Sequence, residues 1–353
     1  MMKKYEEKSE APLSSNGIII GGGRGFYAFV IIIFGMAALF LMMMFSITKG
    51  ASSISINGVV NALFNFDETN KHHLIVVDLR LPRVIASALV GASFAVSGAI
   101  MQGVTRNPLA DSGLMGINAG AGFALALAFA FFPGISYIRV IIISFIGAAL
   151  GAVLVNAIAS VKKGGTSPMR LVLAGSAVSS LLAALSQGVA IYFNISQDIM
   201  FWTAGGVAGS NWKQVAIITP WFFCALAAAI LISRQITILN LGEEVSRGLG
   251  LNTKLISGIS AVIVLMLSGS AVSVVGAVGF IGLVIPHVVR FIVGVDYRLI
   301  IPCSAVLGAL LMVLADLGAR MINPPFETPV GAVIAIIGVP FFLYLARNQR
   351  RLR

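Results

Sequence analysis

FYAFVIIIFGMAALFLMMMFSI, residues 26–47, decides the fold. The run carries no charged side chain. As a helix rising about 1.5 Å per residue it reaches across a hydrocarbon layer of about 30 Å. Working outward, similar apolar runs recur at 84–104, 114–132, 138–161, 170–193, 214–233, 255–277, 279–295, 299–319 and 329–346. With the first they make ten candidate spans. The run at 279–295 is interrupted by Pro286, His287 and Arg290.

Composition agrees. Of 353 residues, 58% are hydrophobic and 10% are charged. A soluble domain has about 25% charged residues. A water-exposed surface for a chain this large cannot be built from so few. The reading is therefore an all-α, polytopic membrane protein with ten transmembrane helices. The transmembrane body covers 26–346, between a polar N-terminal tail at 1–25 and a basic tail at 347–353.

The formal net charge is +11. The basic residues fall in short gaps between apolar runs and at both ends. That is the pattern of a cytoplasmic membrane face, not of a nucleic-acid surface. With both termini inside, Lys49, Lys71, Arg80, Arg83, Arg139, Lys213 and Arg320 stand outside and the other 17 of the 24 Lys and Arg inside. The expectation is a cytoplasmic N-terminus and C-terminus. Residues 1–25 are polar, and the run that follows is too long for the apolar core of a cleavable signal peptide, so none is expected. Cys224 and Cys303 lie in apolar runs and read as packing residues.

Glycine is abundant, at 38 residues. GINAG at 116–120 and GAALG at 147–151 set small residues one turn apart, a pattern that lets helices approach closely. The stretches 81–122 and 255–295 each read as a span, a break and a Gly-containing span start. They lie five spans apart, so helices 2–5 and 7–10 fit an inverted repeat.

Four segments carry candidate chemistry. LRLPR at 79–83 brings Arg80 and Arg83 to the outer end of span 2, against the positive-inside trend. They read either as snorkelling anchors or as a docking point for an anionic partner, which Arg320 joins. Asp316 lies one turn before Arg320 and is placed to pair with it. RNPLADSGLMGINAGAG at 106–122 has Asn107 and Asp111 as turn and cap formers around Pro108. KKGGTSPMR at 162–170 is a small polar loop with Thr166 and Ser167. LNLGEEVSRGLGLN at 239–252 sets Leu239, Leu241, Val245 and Leu249 at near-helical spacing, with Glu243, Glu244 and Arg247 on the other face. It suits a short surface helix that contacts a cytoplasmic partner. His72 and His73, adjacent in an outer loop, lack further ligands for a metal site.

Absences narrow the field. No Gly-Lys dipeptide occurs, so there is no phosphate-binding loop for ATP. No nucleophile triad or metal cluster points to an enzyme. Acidic residues are missing from the middles of the spans, with Asp316 the nearest exception, which weighs against an ion-coupled secondary transporter. Transport against a gradient then needs energy from another subunit.

Five blocks in order carry a resemblance: LRLPRV (79–84), SGAIMQGVTRNPLADSGLMGINAGAG (97–122), GEEVSRGLG (242–250), GFIGLVIPHVVR (279–290) and TPVGAVIAIIGVPFF (328–342). Together they resemble the FecCD family, the permease subunits of bacterial ATP-binding-cassette importers for iron–siderophores, haem and vitamin B12. The resemblance implies a ten-helix protomer in the cytoplasmic membrane, paired with a second permease as a homo- or heterodimer. It implies two cytoplasmic ATPase subunits, an extracellular binding protein and an iron–siderophore cargo, with haem or vitamin B12 as alternatives. It implies no cofactor. By the same resemblance, Arg80, Arg83 and Arg320 are docking residues for the binding protein. Asn107, Leu109, Thr166 and Ser167 belong to inner gates. Leu239, Gly242, Glu243, Glu244, Arg247 and Gly248 belong to the ATPase-coupling segment, 239–252.

Overall fold

The computed structural model describes residues 22–50, 53–160, 168–203, 206–324 and 326–349, and every regular element among them is helical. The chain opens with α1 (Gly22–Thr48), beginning a few residues before the run that predicts it. There follow α2 (Ile56–Phe64), capped by the Ser55 hydroxyl, and α3 (Lys71–Leu74), capped by the Asn70 side chain. A π-helical turn, Ile75–Arg80, runs without a break into α4 (Leu81–Thr105). A 3-10 turn at Ser112–Met115 leads to α5 (Ile117–Phe131), then α6 (Tyr137–Ser160) and α7 (Pro168–Tyr192). After the short α8 (Ser196–Thr203) come α9 (Trp212–Leu231), α10 (Ser233–Asn240) and α11 (Glu243–Gly248). The last third holds α12 (Thr253–Val264), a π turn at Leu265–Gly269 that continues as α13 (Ser270–Val275), α14 (Ile281–Val293), α15 (Tyr297–Ile322) and α16 (Val330–Gln349).

Each apolar run coincides with a helix. Among the described residues, seven helical stretches are long and apolar enough to cross a membrane: Gly23–Thr48, Lys71–Thr105, Ile138–Ser160, Arg170–Tyr192, Trp212–Leu231, Thr253–Val275 and Tyr297–Ile322. Three more, Ile117–Phe131, Ile281–Val293 and Val330–Leu345, are apolar but shorter. Two of the three begin late because the chain turns left-handed just before them, at Gly116 (φ +73°) and Phe280 (φ +68°).

The centre of the molecule is α4, buried along most of its length. Glycine makes that possible. Gly91 meets the Gly308 backbone of α15, and Gly98 meets the Gly282 backbone of α14, with no space for a Cβ on either side. The GINAG and GAALG motifs face one another: Gly120 lies against Gly147, and Gly116 against Gly151. Lipid is as apolar as leucine, so close packing of this kind is what holds such helices together. The outward faces keep residues such as Phe26, Phe34, Leu150 and Phe291 exposed, as lipid contact requires. Polar residues 1–21, the basic end 350–353 and the loop holding Thr166 and Ser167 lie outside the described residues.

Candidate functional site

Residues of functional type gather at the two ends of the bundle. At one end of the bundle, where α1 finishes, the π turn before α4 sets Arg80 and Arg83 close together, and both residues are buried, at 7% exposure. Arg80 Nη1 donates to the Ile47 carbonyl at 2.7 Å, at the end of α1. Arg83 grips Asp316 of α15, its Nη2 donating to Oδ1 at 2.8 Å and its Nε to Oδ1 and Oδ2 at 3.0 and 3.2 Å. Its Nη1 reaches Glu327 at 2.6 Å. Arg320 stands 3.1 Å from the other face of Asp316. It also donates to the carbonyls of Ser46 and Lys49, and to the Ser46 hydroxyl.

Asp316 is thus the hub. It pairs with Arg320, as the one-turn spacing predicts, and also with Arg83, 233 residues away. The sequence reading set Arg80 and Arg83 at the surface; the structure tucks them beneath it. A guanidinium at an apolar boundary is less costly when bound bidentately than when bare. Among the described residues three arginines face two carboxylates here, an excess of positive charge. Glu327, the partner that sequence reasoning missed, is the exposed edge of the cluster at 46% side-chain exposure. Nearby, the buried His73 accepts the Asp67 N–H through Nδ1 at 3.0 Å. The Asp67 carboxyl lies below the usual carboxylate range because the Thr69 hydroxyl and N–H both donate to it.

At the opposite end of the bundle α4 stops on Arg106, in the left-handed region at φ +52°. The Asn107 side chain then accepts the Leu109 N–H at 3.0 Å, and the Asn107 carbonyl accepts from Ala110. Asp111 Oδ1 caps the 3-10 turn through the Ser112 N–H at 2.7 Å. Locally this is the capped turn that its composition predicts, and Leu109 is partly buried in it. What composition did not reveal is where the turn goes. It folds back into the bundle until Asp111 Oδ1 sits against Gly282, 2.5 Å from where a Cβ would stand.

The segment 239–252 is two helical pieces and not one. Leu239 lies in the last turn of α10 and is buried, whereas Glu243 starts α11. Gly242 separates them at φ +120°, a conformation that favours glycine. Its open side leaves Leu241, Val245 and Leu249 exposed at 59%, 49% and 64%. Glu243 and Arg247 pair along α11 at 2.6 Å, and Gly248 has open space around it. Behind this segment lies a cavity of about 970 Å³. Its lining includes Arg106 and Met115 from the turn after α4, Leu171 of α7, and Glu244, Arg247 and Lys254. The turn and the two-helix segment, remote in sequence, therefore border one space.

The FecCD transport family profile matches residues 38–348. The chain is 50% identical over 328 residues to the iron(3+)-hydroxamate import system permease protein FhuB of Bacillus subtilis, covering 93% of this chain and 85% of that one. It is 42% identical over 320 residues to the iron-uptake system permease protein FeuB of the same organism, covering 91% and 96%. The cobalamin import system permease protein BtuC of Halobacterium salinarum is 38% identical over 279 residues, covering 78% and 74%. Among solved structures, an inward-facing conformation of a metal-chelate type ABC transporter superposes with a TM-score of 0.78 at 27% identity, over 90% of this chain and 99% of that one.

Proposed function

The chain belongs to the FecCD transport family, and from that premise we propose that it is the permease of an ATP-binding-cassette importer carrying an iron(III)–hydroxamate chelate inward. The observation that carries the cargo is the 50% identity, along 93% of the chain, to a permease for iron(3+)-hydroxamate. In this reading both termini are cytoplasmic, and the polar tail at 1–25 and the basic tail at 347–353 lie on that side. Two ATPase subunits dock from the cytoplasm onto the segment 239–252. Its exposed Leu241, Val245 and Leu249 supply apolar area, and Glu243, Glu244 and Arg247 supply charge. Asn107 and Leu109, together with Thr166 and Ser167 of the loop at 162–170, form the inner gate.

A binding protein delivers the chelate from outside. The cluster of Arg80, Arg83 and Arg320 attracts acidic side chains through its excess charge even though each guanidinium is already bound, since a surface potential does not require a free donor. A second permease completes the pathway. Ser176, Ser180 and Gln187 lie exposed along one face of α7, beside the open Gly188. Gln187 in hydrocarbon is costly, and that face suits a partner helix or a water-filled route instead.

The test is uptake in proteoliposomes holding the permease with its ATPase and binding protein. Iron-loaded hydroxamate should accumulate with ATP, and ferric citrate and cobalamin should not. Accumulation of cobalamin in preference to the hydroxamate refutes the cargo. Accumulation without any ATPase refutes the importer and favours an ion-coupled carrier.

A further inference from the structure

Among the described residues no hydrogen bond runs directly between the inner turn at 106–116 and the segment at 233–248, yet a series of buried and half-buried contacts connects them. The join begins on α10. Ile236, fully buried, and Tyr297, the first residue of α15, both press on Gly103 of α4, where a Cβ would lie 2.6 and 2.7 Å from their nearest atoms. One residue on, Thr237 Oγ1 accepts the Tyr297 N–H at 2.9 Å. The helix that precedes the ATPase-facing α11 is therefore pinned to the start of α15.

Side chains carry the connection onward. The Tyr297 ring is wholly buried, and its hydroxyl accepts from Arg290 Nη2 at 3.1 Å. The same nitrogen donates to Gln102 Oε1 at 3.0 Å. Gln102 Nε2 then donates to the Gly282 carbonyl at 3.0 Å, in the first turn of α14. Against Gly282 stands Asp111, in the inner turn. The route runs from α10 through Tyr297, Arg290 and Gln102 to Gly282 and so to the gate.

Two features separate this route from ordinary packing. Arg290 has no carboxylate within ion-pair distance among the described residues, although Gln102 beside it is 1% exposed. A partly buried cation without a counter-ion lowers stability, and apolar residues in its place would not. Moreover, Arg290 Nε and His287 Nδ1, one turn apart on α14, are buried with no hydrogen-bond partner. Unused donors and acceptors of this kind leave the network a second arrangement to adopt when α14 shifts. We propose that Tyr297, Arg290 and Gln102 are positioning residues that carry movement of α10 and α11 to the inner gate turn. The proposal rests on the permease reading given above and adds to it the residues that link the ATPase contact to the gate.

The experiment reads gate movement directly and uses no cargo. Leu109→Cys is placed in a Cys224→Ser background, with the buried Cys303 left in place, and the permease is assembled with its ATPase subunits. Maleimide labelling of the cysteine is timed without nucleotide and with vanadate-trapped ATP. The parent should show a nucleotide-dependent change in labelling rate. Tyr297→Phe, which deletes one oxygen, and Gln102→Met should each cut that change by about tenfold while ATP hydrolysis continues, the size of an ordinary coupling between sites. The double variant should lose no more than either single one, because both interrupt one route. A full response in both single variants, additive losses in the double, or no response in the parent overturns the proposal. A parent that gates with nucleotide but takes up no hydroxamate refutes the cargo and leaves this inference standing.

Discussion

Replacing Asp316 by asparagine tests whether the outer cluster holds the bundle together. The Asp316 side chain is 1% exposed and its two oxygens serve two arginines, Arg83 bidentately and Arg320 at 3.1 Å. Removing one partner of a buried ion pair costs about 3–5 kcal/mol, chiefly because the other charge stays buried. Asparagine here leaves two guanidiniums facing each other. Arg83 keeps Glu327, and Arg320 keeps the carbonyls of Ser46 and Lys49, which offsets part of the loss. The expected cost is therefore about 3 kcal/mol, the lower end of that range. With an unfolding entropy of about 2.1 cal/mol/K per residue, that is a fall of about 4 °C in Tm.

Glu327→Gln is the matched control. It removes the other carboxylate from the same Arg83, at the shorter distance of 2.6 Å, but Glu327 is 46% exposed. A solvent-screened pair is worth less than about 1 kcal/mol. Thermal unfolding of the detergent-purified protein should then rank wild type and Glu327→Gln together, with Asp316→Asn well below. Equal shifts for the two variants, or Asp316→Asn at the wild-type Tm, would show that burial does not set the worth of these pairs.

Three further outcomes follow from the packing. Gly98→Ala drives a Cβ into the Gly282 backbone, which cannot yield as a side chain would, so folded protein should be largely lost; Gly258→Ala, with open space around it, should fold as well as wild type or better. Size-exclusion of fluorescent fusions distinguishes the two. Exchanging Leu241, Val245 and Leu249 for serine should leave the permease folded, because all three are exposed, and abolish its co-purification with the ATPase subunits. The Asp296 carboxyl is held below the usual carboxylate range, chiefly by Arg298, so its contribution is complete above about pH 4 and is lost only as the pH falls through the lower folded-state value. The Tm difference between wild type and Asp296→Asn should accordingly stay constant from about pH 8 to pH 5 and shrink below about pH 4.

The positions of the helices were legible because the bilayer imposes a local rule. Every backbone polar group in hydrocarbon must be satisfied within its own segment, so a span announces itself in about 20 consecutive residues. The same locality made Asn107, Asp111 and the Asp316–Arg320 spacing readable, since turns and one-turn pairs are set by near neighbours. The GINAG and GAALG motifs announced close packing, though not that they pack on each other. By contrast, 239–252 read as one amphipathic helix. Its apolar spacing looks continuous, and only the φ of +120° at Gly242 reveals the break.

Sequence alone therefore determined the membrane class, the helical runs and the family whose blocks the chain shares. Only the tertiary structure decided that Arg83 binds Asp316 and Glu327, that Asp111 returns to touch Gly282, and that Gln102, Arg290 and Tyr297 join into one network. The reason is range. Hydropathy sums over neighbours along the chain, whereas these contacts join residues up to 244 positions apart, and only the packing of α4 against α14 and α15 brings them within reach.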